Sequence, residues 1–202
     1  MHYQSEKPKV FCIGFHKTGT TSLHRALEVL GYRVCAEFGV HDPDIRETAL
    51  PRALALVPEY DAFRDNPWPI LYKELDEQLP GSKFILTVRP AERWIRSVLN
   101  HFGGRTSAMR EWIYGEGDPT GHEQLYIERY QQHNEAVQRY FANRPDDLLV
   151  IDLTAGEGWE KLCPHLRCEI PSQEFPHSNK RYYGLMKVIV NAYVAIKKKL
   201  TA

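Results

Sequence analysis

The sequence predicts an α/β fold of three layers, in which a central parallel sheet of about five strands is flanked by helices. Segments typical of strands alternate with segments typical of helices along the chain. The strand segments are apolar throughout, as expected for strands that are covered on both faces. In sheets of this kind, ligands bind beyond the carboxyl ends of the strands.

The first predicted elements surround a glycine-containing loop. Residues 9–13 are a short apolar run that predicts a buried strand. After the loop, apolar residues recur at helical spacing from Leu23 to Leu30, and Gly31 suits the end of that helix. Residues 32–36 are interpreted as a second strand.

The middle of the chain continues this alternation. Helical spacing predicts a helix over residues 46–58, and a short strand over residues 60–64 follows it. Residues 69–79 predict a helix with a proline near its start. Residues 84–88 form the clearest strand of the sequence, and the next helix is expected over residues 90–102.

The last third of the chain is expected to contain two helices and one strand. Thr120 and Glu123 match a capping box, which predicts the start of a helix that reaches about residue 141. Residues 148–151 are a final apolar strand. Residues 185–200 are amphipathic with lysines near the end, which favours a docked C-terminal helix over an interfacial membrane helix.

Composition and charge exclude several classes of protein. The 202 residues, 43% of them hydrophobic, predict a single domain over residues 1–202. The 26 basic residues balance the 26 acidic ones, which argues against a nucleic-acid or membrane-surface binder but allows a small anion in a local basic pocket. Four cysteines without a CxxC pair indicate free thiols. With no signal-peptide pattern and no segment suited to stable membrane insertion, a cytoplasmic protein is expected.

Residues 14–22, between the first strand and the first helix, have the make-up of a phosphate-binding loop. Glycines such as Gly14 and Gly19 let the backbone curl so that N–H groups point inward, and the helix adds the positive end of its dipole. Lys17 supplies a full charge, and three hydroxyls follow, those of Thr20, Thr21 and Ser22. A glycine-rich turn with a solvated lysine is the alternative. The combination favours a P-loop-type fold.

A second candidate for anion binding follows the strand of residues 84–88. Arg89 stands at the end of this strand, and Ser97 lies eight residues later in the next helix. If Pro90 is the first helical residue, Ser97 returns to the helix face that starts beside Arg89. A guanidinium and a hydroxyl that converge there suit a phosphate group. Taken singly, an ion-paired arginine and a neutral helix serine are the alternatives.

The loop and the Arg89–Ser97 pair together resemble the two anion-binding motifs of sulfotransferases that use 3′-phosphoadenosine 5′-phosphosulfate (PAPS). Further stretches are similar to a P-loop sulfotransferase subgroup frequent in fungi and also found in bacteria, namely residues 65–69, 71–75, 90–94, 158–163 and 175–179. The resemblance covers most of the chain, from about residue 10 to residue 179. It implies PAPS as the sulfuryl donor and a hydroxyl or amine of a small molecule or carbohydrate as the acceptor.

The resemblance also implies which residues bind the donor. Those implied for the 5′-phosphosulfate are His16, Lys17, Thr18, Gly19, Thr20, Thr21 and Ser22, and those for the 3′-phosphate are Arg89 and Ser97. Two departures stand out. Cytosolic aryl sulfotransferases carry a tryptophan that stacks on adenine where this chain has Ser22, and their late glycine–lysine loop is missing. Lys180 and Arg181 are candidates to replace that loop, or they form a solvated basic turn.

The chemistry implied is an in-line displacement that needs no metal, and the sequence contains no cluster of metal-ligating residues. Lys17 is expected to stabilise charge on the leaving phosphate. Asp65 is the candidate general base by position, with an N-cap or Asx-turn aspartate before proline as the equal alternative. His16 either contacts the sulfate or faces solvent. An aromatic group is expected in the core or along the acceptor pocket: Trp112, Tyr114 and Tyr126.

Two other functions are consistent with parts of the sequence. A Mg-ATP-dependent small-molecule kinase would use Asp152, after the last strand, to hold the metal. Against it, a nucleotide triphosphatase places lysine directly after the second glycine, where this chain has Thr20. A non-catalytic nucleotide-binding module would keep the pocket and lack the acceptor chemistry.

Overall fold

The computed structural model describes residues 7–177 and contains one five-stranded sheet in which every strand pair is parallel. The strands are β1 (Val10–Cys12), β2 (Val34–Cys35), β3 (Ala62–Arg64), β4 (Lys83–Thr87) and β5 (Leu148–Ile151). The helices are α1 (Thr20–Val29), α2 (Ile45–Leu56), α3 (Tyr72–Gln78), α4 (Ala91–Phe102), α5 (Ala108–Tyr114), α6 (Glu123–Tyr140) and α7 (Trp159–Leu166). The predicted α/β fold class is confirmed.

The order of the strands places the ligand-binding edge of the sheet. The order is β2-β3-β1-β4-β5, so β1 has β3 on one side and β4 on the other. Strands β2 and β3 lie on one side of β1, and β4 and β5 lie on the other, so the chain changes sides between β3 and β4. A crevice forms beyond the carboxyl ends of the strands at such a reversal. The segments that follow β1, β3 and β4 meet at this crevice.

A row of phenylalanine rings crosses the centre of the sheet and joins it to α6. Phe11 of β1 is in register with Phe63 of β3 and Phe84 of β4. The ring centroid of Phe11 lies 4.8 Å from that of Phe63 and 5.6 Å from that of Phe84. Phe84 also contacts Phe141, directly after α6, at 4.8 Å. All four rings are buried, so the row anchors α6 over this face of the sheet.

The opposite face of the sheet is covered by α1 and α7. Leu23 and Leu27 of α1 form a buried cluster with Leu162 of α7 and with the β-strand residues Cys12 and Ile85. Side chains on a strand alternate between its two faces, so Cys12 points away from the phenylalanine row. The sheet thus has helices on both faces, as the uninterrupted apolar strands predict.

The predicted elements differ from the observed ones mainly at their ends. All five predicted strands are present, and β5 has the predicted bounds. Pro90 precedes α4 instead of opening it, and α3 begins at Tyr72 after a series of turns. The capping box was wrong: α6 is capped by His122, and the Glu123 carboxylate accepts a hydrogen bond from the backbone N–H of Gly121. Helices α5 and α7 were not predicted.

Several predictions fall outside the described residues. They are the helix over residues 185–200 and the candidate donor-binding residues Lys180 and Arg181. The single domain over residues 1–202 also stays a prediction. Within residues 7–177, no helix combines the length and apolar character needed to cross a bilayer. All four cysteines are free thiols, including the neighbours Cys163 and Cys168.

Candidate active site

The candidate site lies at the reversal of strand order and is built from the three segments that follow β1, β3 and β4. The first is the loop of residues 14–22, which runs from β1 into α1. The second begins with Asp65 directly after β3, and the third contains Arg89 shortly after β4. The structure therefore brings the loop together with Asp65 and Arg89, as the sequence predicts.

The loop backbone needs small residues at two points. A Cβ on Gly14 would overlap the hydroxyl and the backbone of Thr87, so the loop passes directly against β4. Gly19 has a φ of 101° and forms the left-handed cap of α1. Lys17 also has a positive φ, 67°, without being glycine. Non-glycine residues in this region store strain that surrounding contacts have to maintain.

Two buried side chains from distant helices bind backbone carbonyl groups, one within the loop and one on the residue directly before it. Trp94 of α4 donates its indole Nε1–H to the carbonyl of His16 at 2.9 Å. His133 of α6 donates its Nε2–H to the carbonyl of Ile13 at 2.7 Å. Both donors are almost completely buried. The course of the loop therefore depends on the packing of α4 and α6.

Two further carbonyls of the loop accept hydrogen bonds close to the anion-binding residues. The Nη1–H group of Arg89 donates to the carbonyl of Lys17 at 3.2 Å. The hydroxyl of Thr18 donates to the carbonyl of Phe15 at 2.6 Å and accepts from the hydroxyl of Thr87, also at 2.6 Å. The Thr18 side chain thus fixes the loop to β4 instead of facing a ligand.

In contrast to these carbonyl groups, the backbone N–H groups of the loop lack hydrogen-bond partners among the described residues. Within residues 7–177, none of the seven backbone N–H groups of residues 15–21 donates a hydrogen bond to another part of the chain. Buried backbone N–H groups are nearly always paired, and an unpaired one costs about 1–3 kcal/mol. A run of free N–H groups in a curled loop at a helix N-terminus is the arrangement that binds phosphate and sulfate groups.

The charges at the site add to this preference for anions. Within the described residues, no carboxylate oxygen lies within 4.0 Å of the Lys17 ammonium or the Arg89 guanidinium. Burial lowers the pKa of Lys17; Asp65 opposes this shift and Arg89 adds to it. The Nε–H group of Arg89 is buried and has no hydrogen-bond partner in the described part of the chain. A bound anion would supply the missing partner for both cations.

Arg89 is held in place by Tyr130 of α6. The Tyr130 hydroxyl accepts from the backbone N–H of Arg89 at 2.8 Å and donates to its carbonyl at 2.9 Å. Ser97 is half-buried on α4. Its hydroxyl makes no hydrogen bond within residues 7–177, so its role as a phosphate ligand stays a prediction.

Asp65 is tied to the start of α1. Its Oδ2 accepts from the Thr20 hydroxyl at 3.1 Å and from Nη1 of Arg64 at 3.0 Å. Its Oδ1 accepts from the backbone N–H of Asn66, the next residue, at 3.1 Å; an Asx-turn would need the N–H two residues on, and Pro67 has none. The carboxylate therefore makes a local contact in the turn and also reaches Thr20, the first residue of α1.

His16 lies inside the protein, so the solvent-facing interpretation was wrong. The side chain is 5% exposed, and its Nδ1 lies 3.1 Å from Asn66 Nδ2 while its Nε2 lies 3.4 Å from the Tyr114 hydroxyl. Burial lowers the pKa of His16 to about 3, and the charge of Arg110 contributes next. The imidazole is therefore neutral at physiological pH and takes part in a buried polar chain.

Asp152 and the aromatic residues adopt structural roles. The Oδ1 atom of Asp152 accepts hydrogen bonds from Thr154 N at 2.8 Å, Thr154 Oγ1 at 2.6 Å and Ala155 N at 3.1 Å. The carboxylate that a kinase would direct at a metal is thus used to cap a short 3₁₀ helix. Tyr114 and Tyr126 are buried and stacked at 4.0 Å, as expected for core residues.

Several residues of the site were not found from the sequence: Arg64, Asn66, Trp94, Tyr130 and His133. Each acts through a side-chain contact with a residue that is distant in the chain or lies in an irregular turn. Asn66 gave a signal as part of the Asp-Asn-Pro stretch, which was interpreted only as a subgroup marker. Trp94 lies in the stretch of residues 90–94, which was likewise interpreted only as a subgroup marker, and Tyr130 belongs to an aromatic stripe on the predicted helix that is typical of core residues. No pattern marks Arg64 and His133.

Comparison with known proteins agrees with the resemblance of the motifs. A family model described as a sulfotransferase domain matches residues 9–121 and 99–182. The chain is also similar to Ava biosynthesis cluster protein M of Aspergillus versicolor. The two sequences are 28% identical over 213 aligned positions, which cover 84% of this chain and 80% of the relative.

Trp94→Phe tests whether the carbonyl contacts shape the loop for anion binding. The variant retains the ring and loses the hydrogen bond to His16, so we expect about 10-fold weaker binding of 3′-phosphoadenosine 5′-phosphate, measured by calorimetry. Trp68→Phe is the matched control, because Trp68 is equally buried and donates to the carbonyl of Ala36 outside the loop, at 3.0 Å. Equal nucleotide affinity in the two variants would contradict this role of Trp94.

The buried histidines predict that stability decreases in acid. Burial lowers the pKa of His133 from 6.5 to about 4, so protons bind to the unfolded chain first as the pH falls below 6.5. The free energy of unfolding should then decrease by about 1.4 kcal/mol per pH unit for such a histidine. We expect His133→Gln, which can still donate to Ile13, to lose less stability than the wild type between pH 6.5 and pH 5 in urea denaturation. Identical pH profiles would count against the effect.

Proposed function

Because the chain belongs to the sulfotransferase domain family, we propose that it transfers a sulfuryl group from PAPS to a hydroxyl or amine of a small-molecule or carbohydrate acceptor. The observation that carries the proposal is the run of seven N–H groups over residues 15–21 that find no hydrogen-bond partner among residues 7–177. A 5′-phosphosulfate presents several anionic oxygens at one end of the donor and matches this donor set. Lys17, within the same run, supplies the positive charge.

The 3′-phosphate of the donor suits the segment after β4. The Nη1–H group of Arg89 donates to the carbonyl of Lys17. Its buried Nε–H group has no hydrogen-bond partner among residues 7–177. A phosphate beside the guanidinium would accept from that group in a charge-assisted hydrogen bond. Ser97, half-buried on the following helix, is the proposed hydroxyl ligand of the same phosphate.

In the proposed reaction, the acceptor oxygen or nitrogen attacks sulfur in line with the bond to the leaving phosphate. Negative charge builds up on the 5′-phosphate oxygen as that bond breaks. The loop N–H groups and Lys17 stabilise this charge more strongly in the transition state than in the bound donor. Their positions are set before the donor binds, because Trp94 and His133 already hold the loop.

Asp65 is the proposed general base. The carboxylate contacts Thr20, the first residue of α1, and therefore lies beside the loop that would bind the sulfuryl group. Arg64 binds the same carboxylate oxygen, which keeps Asp65 oriented toward the loop. His16 is assigned a supporting role instead of a catalytic one, because it is buried and its ring faces Asn66 and Tyr114.

The carboxylate of Asp152 is occupied by hydrogen bonds from Thr154 and Ala155, which disfavours the kinase alternative. Measured transfer of a sulfuryl group from PAPS to an acceptor would separate an enzyme from a non-catalytic nucleotide-binding module. The balanced charge and the free thiols support a cytoplasmic location, which is likewise a proposal.

Donor binding predicts a nucleotide-specific and metal-independent rise in melting temperature. We expect 3′-phosphoadenosine 5′-phosphate without Mg²⁺ to raise the Tm by about 5–10 °C at roughly 100 times its Kd, and ATP with Mg²⁺ to have little effect. Lys17→Glu and Arg89→Glu should abolish the shift because each replaces an attractive charge with a repulsive one. Arg93→Glu, an exposed residue on the same helix as Ser97, is the control. The reverse nucleotide preference would contradict the proposal.

Substitution of the proposed base separates catalysis from binding. Asp65→Asn should lower kcat by about 100-fold or more, because loss of a general base removes a factor of roughly 100–10,000, while nucleotide affinity stays unchanged. Asp61→Asn is the matched control: this aspartate lies at the opposite end of β3 and is bound by Arg33. It should lower stability without lowering kcat. Wild-type turnover in Asp65→Asn would remove Asp65 as the base.

A further inference from the structure

The C-terminal end of α7 brings two cysteines side by side. Arg167, directly after the helix, has a φ of 53° in the left-handed region. The backbone N–H of Cys168 donates to the carbonyl of Cys163 at 3.0 Å, and the N–H of Arg167 donates to the carbonyl of Pro164 at 3.2 Å. This pair of hydrogen bonds defines a Schellman motif, in which the two side chains at the positions of Cys163 and Cys168 commonly contact each other.

The two thiols interact directly. The S–H group of Cys168 donates to the carbonyl of Cys163, with 3.8 Å between Sγ and O. Burial raises the pKa of the Cys163 thiol to about 12, and the charge of a Cys168 thiolate and a hydrogen bond between the two side chains add to this shift. A disulfide forms without movement of the backbone only where the two side chains already face each other. Cys163 and Cys168 meet this condition, and both are free thiols in the structure.

The two thiols differ in their access to solvent. Cys168 is exposed, whereas Cys163 is completely buried and belongs to the cluster that contains Leu23 and Leu27 of α1. A small reagent in solution therefore reaches Cys168 and not Cys163. An accessible cysteine beside a protected one is the arrangement in which the first thiol reacts and the second resolves the product into a disulfide.

The pair of thiols lies away from the candidate active site. The charge of a Cys168 thiolate contributes, after burial, to the raised pKa of Tyr32, so Cys168 lies close to the segment that leads into β2. That segment is at the amino end of the parallel sheet, whereas Lys17, Asp65 and Arg89 follow the carboxyl ends of their strands. The proposed binding of PAPS and transfer of its sulfuryl group therefore give these thiols no role.

We propose that Cys163 and Cys168 form a reversible disulfide by exchange with a low-molecular-weight disulfide such as oxidised glutathione. The Cys168 thiolate attacks one sulfur of oxidised glutathione, which breaks the S–S bond and releases one glutathione thiolate. Cys163 then attacks the Cys168 sulfur of the mixed disulfide, and the second glutathione thiolate leaves. The two protein thiols are oxidised, and their two protons pass to the two glutathione thiolates. The inference is independent of the proposed sulfotransfer.

The fold favours the second step of this exchange. Once Cys168 is part of the mixed disulfide, its charge no longer opposes ionisation of Cys163. The helix cap holds the attacking sulfur beside its target, so the reaction is intramolecular and does not depend on a second encounter. The new bond closes residues 163–168 into a loop across the cap. It thereby fixes the end of α7, whose Leu162 packs in the same buried cluster as α1.

The test is equilibration of the reduced wild-type protein in glutathione buffers of increasing oxidised fraction, followed by acid quenching, alkylation and mass spectrometry. Trypsin cleaves after Lys161, Arg167 and Lys180, so the two cysteines fall on separate peptides, residues 162–167 and 168–180, which the disulfide would join. We expect the joined peptides to exceed the mixed disulfide of Cys168 with glutathione by about tenfold or more, because resolution is intramolecular.

Other cysteines of the chain and two variants are the controls. Cys12 and Cys35 are buried on β1 and β2, with β3 between these strands, and should stay reduced. Cys163→Ser lacks the resolving thiol and should accumulate the mixed disulfide, whereas Cys168→Ser should form neither product. Loop closure restricts the unfolded chain, so oxidation should raise the Tm of the wild-type protein by about 2–8 °C and leave that of Cys168→Ser unchanged.

The outcomes bear on separate parts of the inference. Absence of the joined peptides from the wild-type protein in the most oxidising buffer would overturn it, and this measurement needs no variant that folds. As much mixed disulfide in the wild-type protein as in Cys163→Ser would also overturn it, because Cys163 would then not resolve the intermediate. Equal oxidation of Cys12 or Cys35 would contradict the role of the helix cap. A Tm that does not respond to oxidation would overturn the stabilising effect of the bond.

Discussion

The backbone of the loop after β1 is hydrogen-bonded on one side only, and the rest of the site depends on this asymmetry. The carbonyl groups of Phe15, His16 and Lys17 accept from side chains that lie on other elements or within the loop itself, whereas the N–H groups of residues 15–21 have no partner among the described residues. In water such a loop would satisfy both sets of groups. In the folded chain, these three carbonyl groups are already occupied, and a row of N–H donors is left for an anion.

Stacked aromatic rings in the core hold the side chains that bind the loop carbonyls. Trp94 stacks on Tyr130 with ring centroids 4.3 Å apart, and His133 stacks on Phe15 at 4.2 Å. Tyr130 in turn holds the backbone of Arg89. The packing of α4 against α6 therefore sets both the loop and the second cationic residue. A loop held in this way loses little conformational freedom when a ligand binds, which favours affinity and catalysis together.

The sequence predicted the parts of this arrangement that are local. The strands are continuous apolar runs, and the loop and Arg89 directly follow two of them, so parallel pairing was enough to place Lys17 and Arg89 together. The orientation of side chains was not predictable. His16 turns inward because Asn66 and Tyr114 are there to receive it, and Trp94 reaches a carbonyl 78 positions earlier in the chain. Such contacts follow from tertiary packing and leave no periodic signal.

The central claim is that the free N–H groups of the loop bind the 5′-phosphate of the nucleotide, and amide NMR tests it most directly. On titration of ¹⁵N-labelled protein with 3′-phosphoadenosine 5′-phosphate in the absence of Mg²⁺, the N–H resonances of residues 15–21 should move downfield as they form hydrogen bonds to phosphate oxygens. The resonances of α2 should stay in place, because no residue of that helix is a proposed ligand of the nucleotide. Saturating nucleotide that shifts resonances elsewhere and leaves residues 15–21 unchanged would contradict the account.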